Sequence, residues 1–183
     1  EDAPERVSGF AYSGFQRDQD PTKLKFPSAG ELSADLALLS TQTSRIRTYS
    51  SIDNAEVPRL AADQGLAVTA GAWLDTRAMN NEDEIAALIR AVRENRNVNR
   101  VSVGNEVILR GDLSVAELIK KIKLDKRKES VPVSTAEPLP ILLRYPELAK
   151  AVEFITFHLL PYWDGMTIVK VVRAECWVSV CWS

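Results

Sequence analysis

The segment Val101-Ser102-Val103-Gly104-Asn105-Glu106-Val107 is the sharpest chemical cluster in a chain of 183 residues. A β-branched run ends there in a glycine, an amide and a carboxylic acid. A carboxyl group at the end of a buried-looking strand is costly unless it is used. Glycine lets a ligand or neighbouring backbone come close, and the asparagine amide can hold a hydroxyl beside the carboxyl. The competing reading is a capping or ion-paired glutamate at a strand-to-loop junction, and a three-residue match does not choose between them. Tyr12, Tyr49, Glu137, His158 and Tyr162 stand, like Asn105 and Glu106, at or just past the ends of apolar runs.

Each of these residues has a plain structural reading beside the chemical one. Tyr12, Tyr49, Tyr162 and Trp163 can stack on flat apolar faces or fill core; for Trp73 the core reading is preferred. Arg47 sits on a buried-looking strand, where an unpaired charge is expensive, so it is expected to pair with a site carboxylate or a backbone carbonyl. Glu137 reads as a second carboxylate, a hydroxyl-binding group or a helix cap before Pro138. His158 alone would be a satisfied structural histidine.

The elements that must position these residues alternate along the chain. Runs of about six apolar or β-branched residues trade places with 3.6-period segments, the pattern of repeated βα units. Strands are expected at Val7 to Phe15, Arg45 to Ser50, Leu66 to Leu74, Val98 to Val107, Val131 to Ala136 and Phe154 to Leu160. Helices are expected from Ser28, over Val57 to Gln64, from Asn81, from Ser114, and over Ile141 to Val152. Ser28 with Glu31, Asn81 with Glu84 and Ser114 with Glu117 read as capping boxes. Such alternation allows an open doubly wound sheet or a closed (β/α)8 barrel. The phosphate-binding glycine pattern of the first is missing, since Gly14-Phe15-Gln16-Arg17 follows the first strand. Polar and aromatic residues gathered at strand C-terminal ends favour the barrel, whose site is built on that face.

Composition narrows the chemistry. With 45% apolar and 26% charged residues the chain is globular, and a formal net charge of -2 argues against nucleic-acid binding. No apolar run reaches the ~20 residues of a membrane span. Two Cys and one His cannot form a four-ligand Cys/His zinc site, no strand-end lysine offers Schiff-base chemistry, and no metal or other cofactor is implied. The basic run from Lys120 to Lys128 reads as a solvated helix end.

Val103-Gly104-Asn105-Glu106-Val107 resembles the acid/base motif of glycoside hydrolase family seventeen, the β-1,3-glucanases and glucan transglycosylases. Gly9-Phe10-Ala11-Tyr12 is similar to that family's first strand, Ile46-Arg47-Thr48-Tyr49 to its second, Val133-Ser134-Thr135-Ala136 to its fifth and Pro161-Tyr162-Trp163 to the end of its sixth. Five ordered matches are far more specific than one, and Thr135-Ala136-Glu137-Pro138 gives them the flavour of the bacterial branch. The resemblance implies a (β/α)8 TIM barrel and a retaining glycosidase, with Glu106 as general acid and then base. It implies a β-glucan substrate, on the periplasmic or extracellular side where such polymers lie. Tyr12, Arg47, Tyr49, Asn105, Glu137, His158, Tyr162 and Trp163 become candidate substrate contacts; at His158 the family usually has Asn.

The family's nucleophile, a glutamate ending the seventh strand before Gly-Trp-Pro, has no match here. Glu175, after a β-branched run and before Trp177, is a faint echo. Only about seven residues separate the sixth strand from Ile168, whereas a parallel crossover takes a dozen or more. The barrel is therefore expected to be truncated after its sixth strand, with 1–168 an incomplete hydrolase domain and 169–183 an atypical tail. Cys176 and Cys181 in that tail support no disulfide framework. The chain opens on Glu1 without a charged and then apolar leader, as expected of a mature form or a fragment. A chain without the nucleophile strand is expected to be catalytically impaired, and the alternative is a β-glucan-binding or glucan-synthesis-associated module that does not cleave.

Overall fold

The computed structural model describes residues 6–53, 55–126 and 130–160, with backbone alone at 124–126. Six strands alternate with helices: β1 (Phe10–Ala11), α1 (Ala29–Gln42), β2 (Arg45–Arg47), α2 (Val57–Asp63), β3 (Ala67–Ala72), α3 (Ala78–Glu94), β4 (Val98–Asn105), α4 (Val115–Lys126), β5 (Val133–Pro138), α5 (Leu139–Arg144), α6 (Pro146–Ala151) and β6 (Thr156–His158). The strands form one sheet in chain order, every neighbour parallel. Among the described residues no helix is long and apolar enough to cross a membrane.

Successive side chains on a strand point to opposite faces. Ile46, Val68, Val101 and Val103 send theirs into the layer of helices, where they pack with Leu32 and Leu36 of α1 and Leu118 and Ile122 of α4, all buried. Arg47 alternates with Ile46 and lies on the other face. The sheet is curled toward that face. In a flat sheet β2 and β6 would stand four spacings, about 19 Å, apart, yet Arg47 Nη1 lies 3.4 Å from His158 Nε2. The six strands thus make a half-barrel whose concave side gathers the strand C-termini.

The same local chemistry sets the helix ends. At Ser28 the backbone N–H and the Oγ hydroxyl donate to Glu31, whose N–H donates back to Ser28 Oγ. Ser114 and Glu117 repeat the arrangement ahead of α4. The third expected box is not formed. The α3 helix begins earlier, at Ala78 after Arg77. The Asn81 side chain is drawn back to Asp75, accepting from its N–H at 2.8 Å and donating to its carbonyl at 2.7 Å. Glu84 reaches across to the loop after β2. Its Oε1 accepts from Ser50 Oγ at 2.5 Å and its Oε2 from Ser51 N–H at 3.0 Å.

Strand and helix lengths depart from the sequence reading in several places. The strands β1, β2 and β6 are cut to two, three and three residues. The expected helix over Ile141 to Val152 is two helices, broken at Tyr145 because Pro146 follows. Gly71 explains how closely β3 meets the end of β2: a Cβ there would fall 2.4 Å from the Thr48 carbonyl oxygen.

Candidate active site

Glu106 follows the last residue of β4 and turns the chain out of the sheet with a left-handed backbone, φ 54. Gly104, two residues before it, takes φ 87, a conformation glycine adopts without steric cost. The pairing of β4 with β5 is irregular between Ser102 and Asn105. The Glu106 N–H nevertheless still donates to Ala136 O of β5 at 2.7 Å. Its side chain keeps 25% of its surface exposed at the strand end. Oε1 lies 2.6 Å from His158 Nδ1, and Oε2 has no hydrogen-bond partner among the described residues.

Arg47 completes this group from β2. Its Nη2 donates to Asn105 Oδ1 at 2.6 Å, its Nη1 faces His158 Nε2, and its guanidinium lies 5.0 Å from the centre of the Tyr49 ring. The expected ion pair or carbonyl contact is replaced: the cation is held by an amide oxygen and an imidazole. Burial pulls the guanidinium below its ordinary pKa, opposed by the nearby Tyr49 and Glu106. Arginine cannot accept a hydrogen bond, so one between Arg47 and His158 requires Nε2 to be the acceptor. The ring proton of that tautomer is on Nδ1, facing Glu106.

Five of the sequence-selected residues therefore come together here: Arg47, Tyr49, Asn105, Glu106 and His158. Tyr12 does not join them. It is buried between β1 and α1, and its hydroxyl donates to Asp35 Oδ2 of α1 at 3.1 Å. Burial first, then Asp35, raise its phenol pKa. Glu137 is fully buried, and its oxygens accept from Ile108 N–H at 2.9 Å and Leu109 N–H at 3.4 Å. The cap before Pro138 is not made, since α5 has no side-chain cap. Burial pushes the Glu137 carboxyl up, against the lowering effect of those N–H groups. Tyr162, Trp163, Glu175, Cys176 and Cys181 lie outside the described residues.

Sequence reading missed Arg110. From the turn after Glu106 it donates Nη2 to Leu74 O at 2.7 Å and Nη1 to Asn105 O, and pairs through Nε with Asp112 at 2.6 Å. Its guanidinium also stacks 4.4 Å from the Trp73 ring centre. Trp73 is thus half-buried under an arginine instead of being plain core. The signal was local, a basic residue with an acidic one two positions on, directly after the motif. Among the described residues no group of three His, Cys, Asp or Glu could hold a metal.

Residues 9–179 match the family model described as the BtgE/BtgC glycoside hydrolase domain. The chain is 26% identical over 150 residues to a protein of Arthroderma benhamiae named "Glucan 1,3-beta-glucosidase", a match covering 76% of this chain and 47% of that one. It is 27% identical over 184 residues to an Aspergillus niger protein named "Putative glucan endo-1,3-beta-glucosidase btgC", covering 90% of this chain and 26% of that one. The chain thus spans about half or less of the curated relatives it matches. Among solved structures, a β-glucuronidase from Ruminococcus gnavus in complex with a C6-substituted uronic isofagomine superposes with a TM-score of 0.52. That match is at 15% identity over 84% of this chain and 28% of that one, a likeness of fold.

Proposed function

This chain belongs to the BtgE/BtgC glycoside hydrolase domain family, and from that premise we propose that it carries the acid/base half of a retaining glycosidase. The substrate is β-1,3-linked glucan, met on the periplasmic or extracellular side, and the architecture is the (β/α)8 barrel of glycoside hydrolase family seventeen. The observation that carries this reading is Glu106: partly exposed at a strand end, one oxygen held by His158, the other without a hydrogen-bond partner among the described residues.

In the proposed reaction the Glu106 carboxyl gives its proton to the glycosidic oxygen as the C1–O bond breaks. A second carboxylate, about 5–5.5 Å away, attacks C1 and forms a glycosyl-enzyme. Glu106, now a carboxylate, takes a proton from water or from an acceptor sugar hydroxyl, which attacks C1 and releases the product. His158 and Arg47 keep Glu106 in place without consuming its proton, because the ring already donates to it. The nucleophile would come from outside the described residues, where Glu175 is the available candidate.

The test is Glu106→Gln in the longest natural chain containing these 183 residues. Removing the acid should cut laminarin turnover by roughly a hundred- to ten-thousand-fold. Turnover near the wild-type rate would sink the assignment.

One observation favours a second reading, a module that holds glucan without cutting it. The other carboxylate at the strand ends, Glu137, is buried with its oxygens on backbone N–H groups. The 183-residue chain would then retard in laminarin gels and release no reducing ends. Reducing ends that disappear with Glu106→Gln would decide for the hydrolase.

A further inference from the structure

The turn that carries Glu106 is held from the neighbouring strand at two consecutive residues. Glu106 N–H donates to Ala136 O, and the very next residue of β5, Glu137, receives the N–H groups that follow Glu106 in the chain. Backbone N–H groups in succession after a left-handed residue form a small concavity suited to an anion. Here the anion is internal, a side chain with no exposed surface. The turn then closes on itself, with Arg110 N–H donating to Glu106 O at 2.9 Å and Asp112 N–H to Val107 O at 3.0 Å.

A non-glycine residue pays to sit at positive φ, and it stays there only where surrounding contacts hold it. From β5 the turn is held by Ala136 O behind Glu106 and the Glu137 carboxyl ahead, beside the turn's own bond from Arg110 N–H to Glu106 O. Among the described residues no hydrogen bond or ion pair joins Glu137 to the Glu106 or His158 side chain. Its hydrogen bonds reach them through the backbone of the turn.

From this geometry we infer that Glu137 is a positioning residue, which fixes the left-handed turn at Glu106 and so aims the Glu106 carboxylate at His158. Its catalytic meaning rests on the acid/base reading above, but the positioning itself is measurable without turnover. The chain contains one histidine, so its ring is an unambiguous reporter. If Glu106 swings away, His158 loses the acceptor of its Nδ1 proton and the two ring nitrogens change character.

The experiment is a long-range ¹H–¹⁵N spectrum of the full 183-residue chain above the imidazole titration range. Glu106→Ala marks the end point, a ring without its acceptor. Glu137→Gln, which keeps the shape but puts an N–H₂ group where an acceptor oxygen stood, should move the Nδ1 resonance more than half of the way to that end point. It should also cause no further movement when combined with Glu106→Ala. Glu84→Gln, at the other buried carboxylate, should leave the ring resonances in place. A folded Glu137→Gln protein with a wild-type ring spectrum overturns the inference, as does an equal shift in Glu84→Gln. If Glu137→Gln does not fold, Glu137→Asp is read in its place, with a shift in the same direction expected. Failure of both to fold would make the carboxyl a general requirement of the fold and overturn the specific role. A positive result together with an active Glu106→Gln enzyme would keep the positioning and discard the acid.

Discussion

Arg47 on β2 and His158 on β6 meet at 3.4 Å across the concave face, four strands apart in one sheet. This contact joins side chains from the two ends of the curled sheet and bears on which ring nitrogen carries the proton. The arginine offers only donors, so a hydrogen bond to it needs an unprotonated Nε2, the tautomer with the ring proton on Nδ1 toward Glu106. Asn105 anchors the guanidinium from its far side at 2.6 Å.

Arg47→Met keeps the length of the side chain and removes every donor. Nε2 of His158 then loses its donor and its ¹⁵N resonance should move, while Nδ1, still facing Glu106, keeps its proton. An unchanged spectrum in a folded variant would mean that Arg47 makes no hydrogen bond to the ring.

Glu84 gives a pH dependence with a definite sign. Burial is the main cause of its raised pKa, partly offset by the Ser50 hydroxyl and the Ser51 and Trp73 backbone. Between the ordinary glutamate value of 4.5 and its higher folded value, the native state binds more proton than the unfolded chain. Stability must therefore fall as pH rises through that window. A single group contributes at most about 1.4 kcal/mol per pH unit. Urea unfolding at a series of pH values should show this fall in the wild type and a flatter profile in Glu84→Gln. Glu137, also raised by burial, keeps its share of the slope in that variant. An unaltered profile would place the Glu84 proton equilibrium at its unfolded value.

The strand runs and two capping boxes were legible because their causes are local. Ser28 and Ser114 took the partners three residues on and capped as spelled. Asn81 and Glu84 carry the same spacing, yet the Asp75 backbone took one and the serines after β2 took the other. Those rivals are remote or belong to a turn, and pattern reading does not see them. The site divides the same way. Asn105 and Glu106 were visible as a motif, and His158 as a polar residue at a strand end. That His158 touches both Glu106 and Arg47 depends on curvature, which no window of sequence contains. Tyr12 shows the opposite error. A tyrosine at a strand end looked like a site aromatic, but its side chain turned to the helical layer, where Asp35 offered an acceptor.

Gly71 tests how tightly β3 is fitted under β2. An added methyl group would lie 2.4 Å from Thr48 O and 2.8 Å from Tyr49 O, both backbone atoms. Backbone cannot rotate aside as a side chain would, so Gly71→Ala must displace the end of β2. Overpacking of this kind costs about 1–3 kcal/mol, measurable as a lower urea midpoint. Because Arg47 and Tyr49 ride on that segment, the His158 ring resonances should move as well. A stable variant with unmoved resonances would show that β2 is not pressed against Gly71.

Tyr12→Phe separates the core role of this residue from a role in sugar contact. The phenol donates to Asp35, which also accepts from Gln16 Nε2 at 2.6 Å. Removing the hydroxyl leaves Asp35 one good partner and keeps the ring in its packing. The expected cost is about 1 kcal/mol of stability, the worth of one ordinary hydrogen bond. Retardation in laminarin gels, where the wild type shows it, should be unchanged, since the hydroxyl faces α1 and not Glu106. Loss of retardation with full stability would return Tyr12 to the sugar-binding surface and require β1 to sit differently against α1.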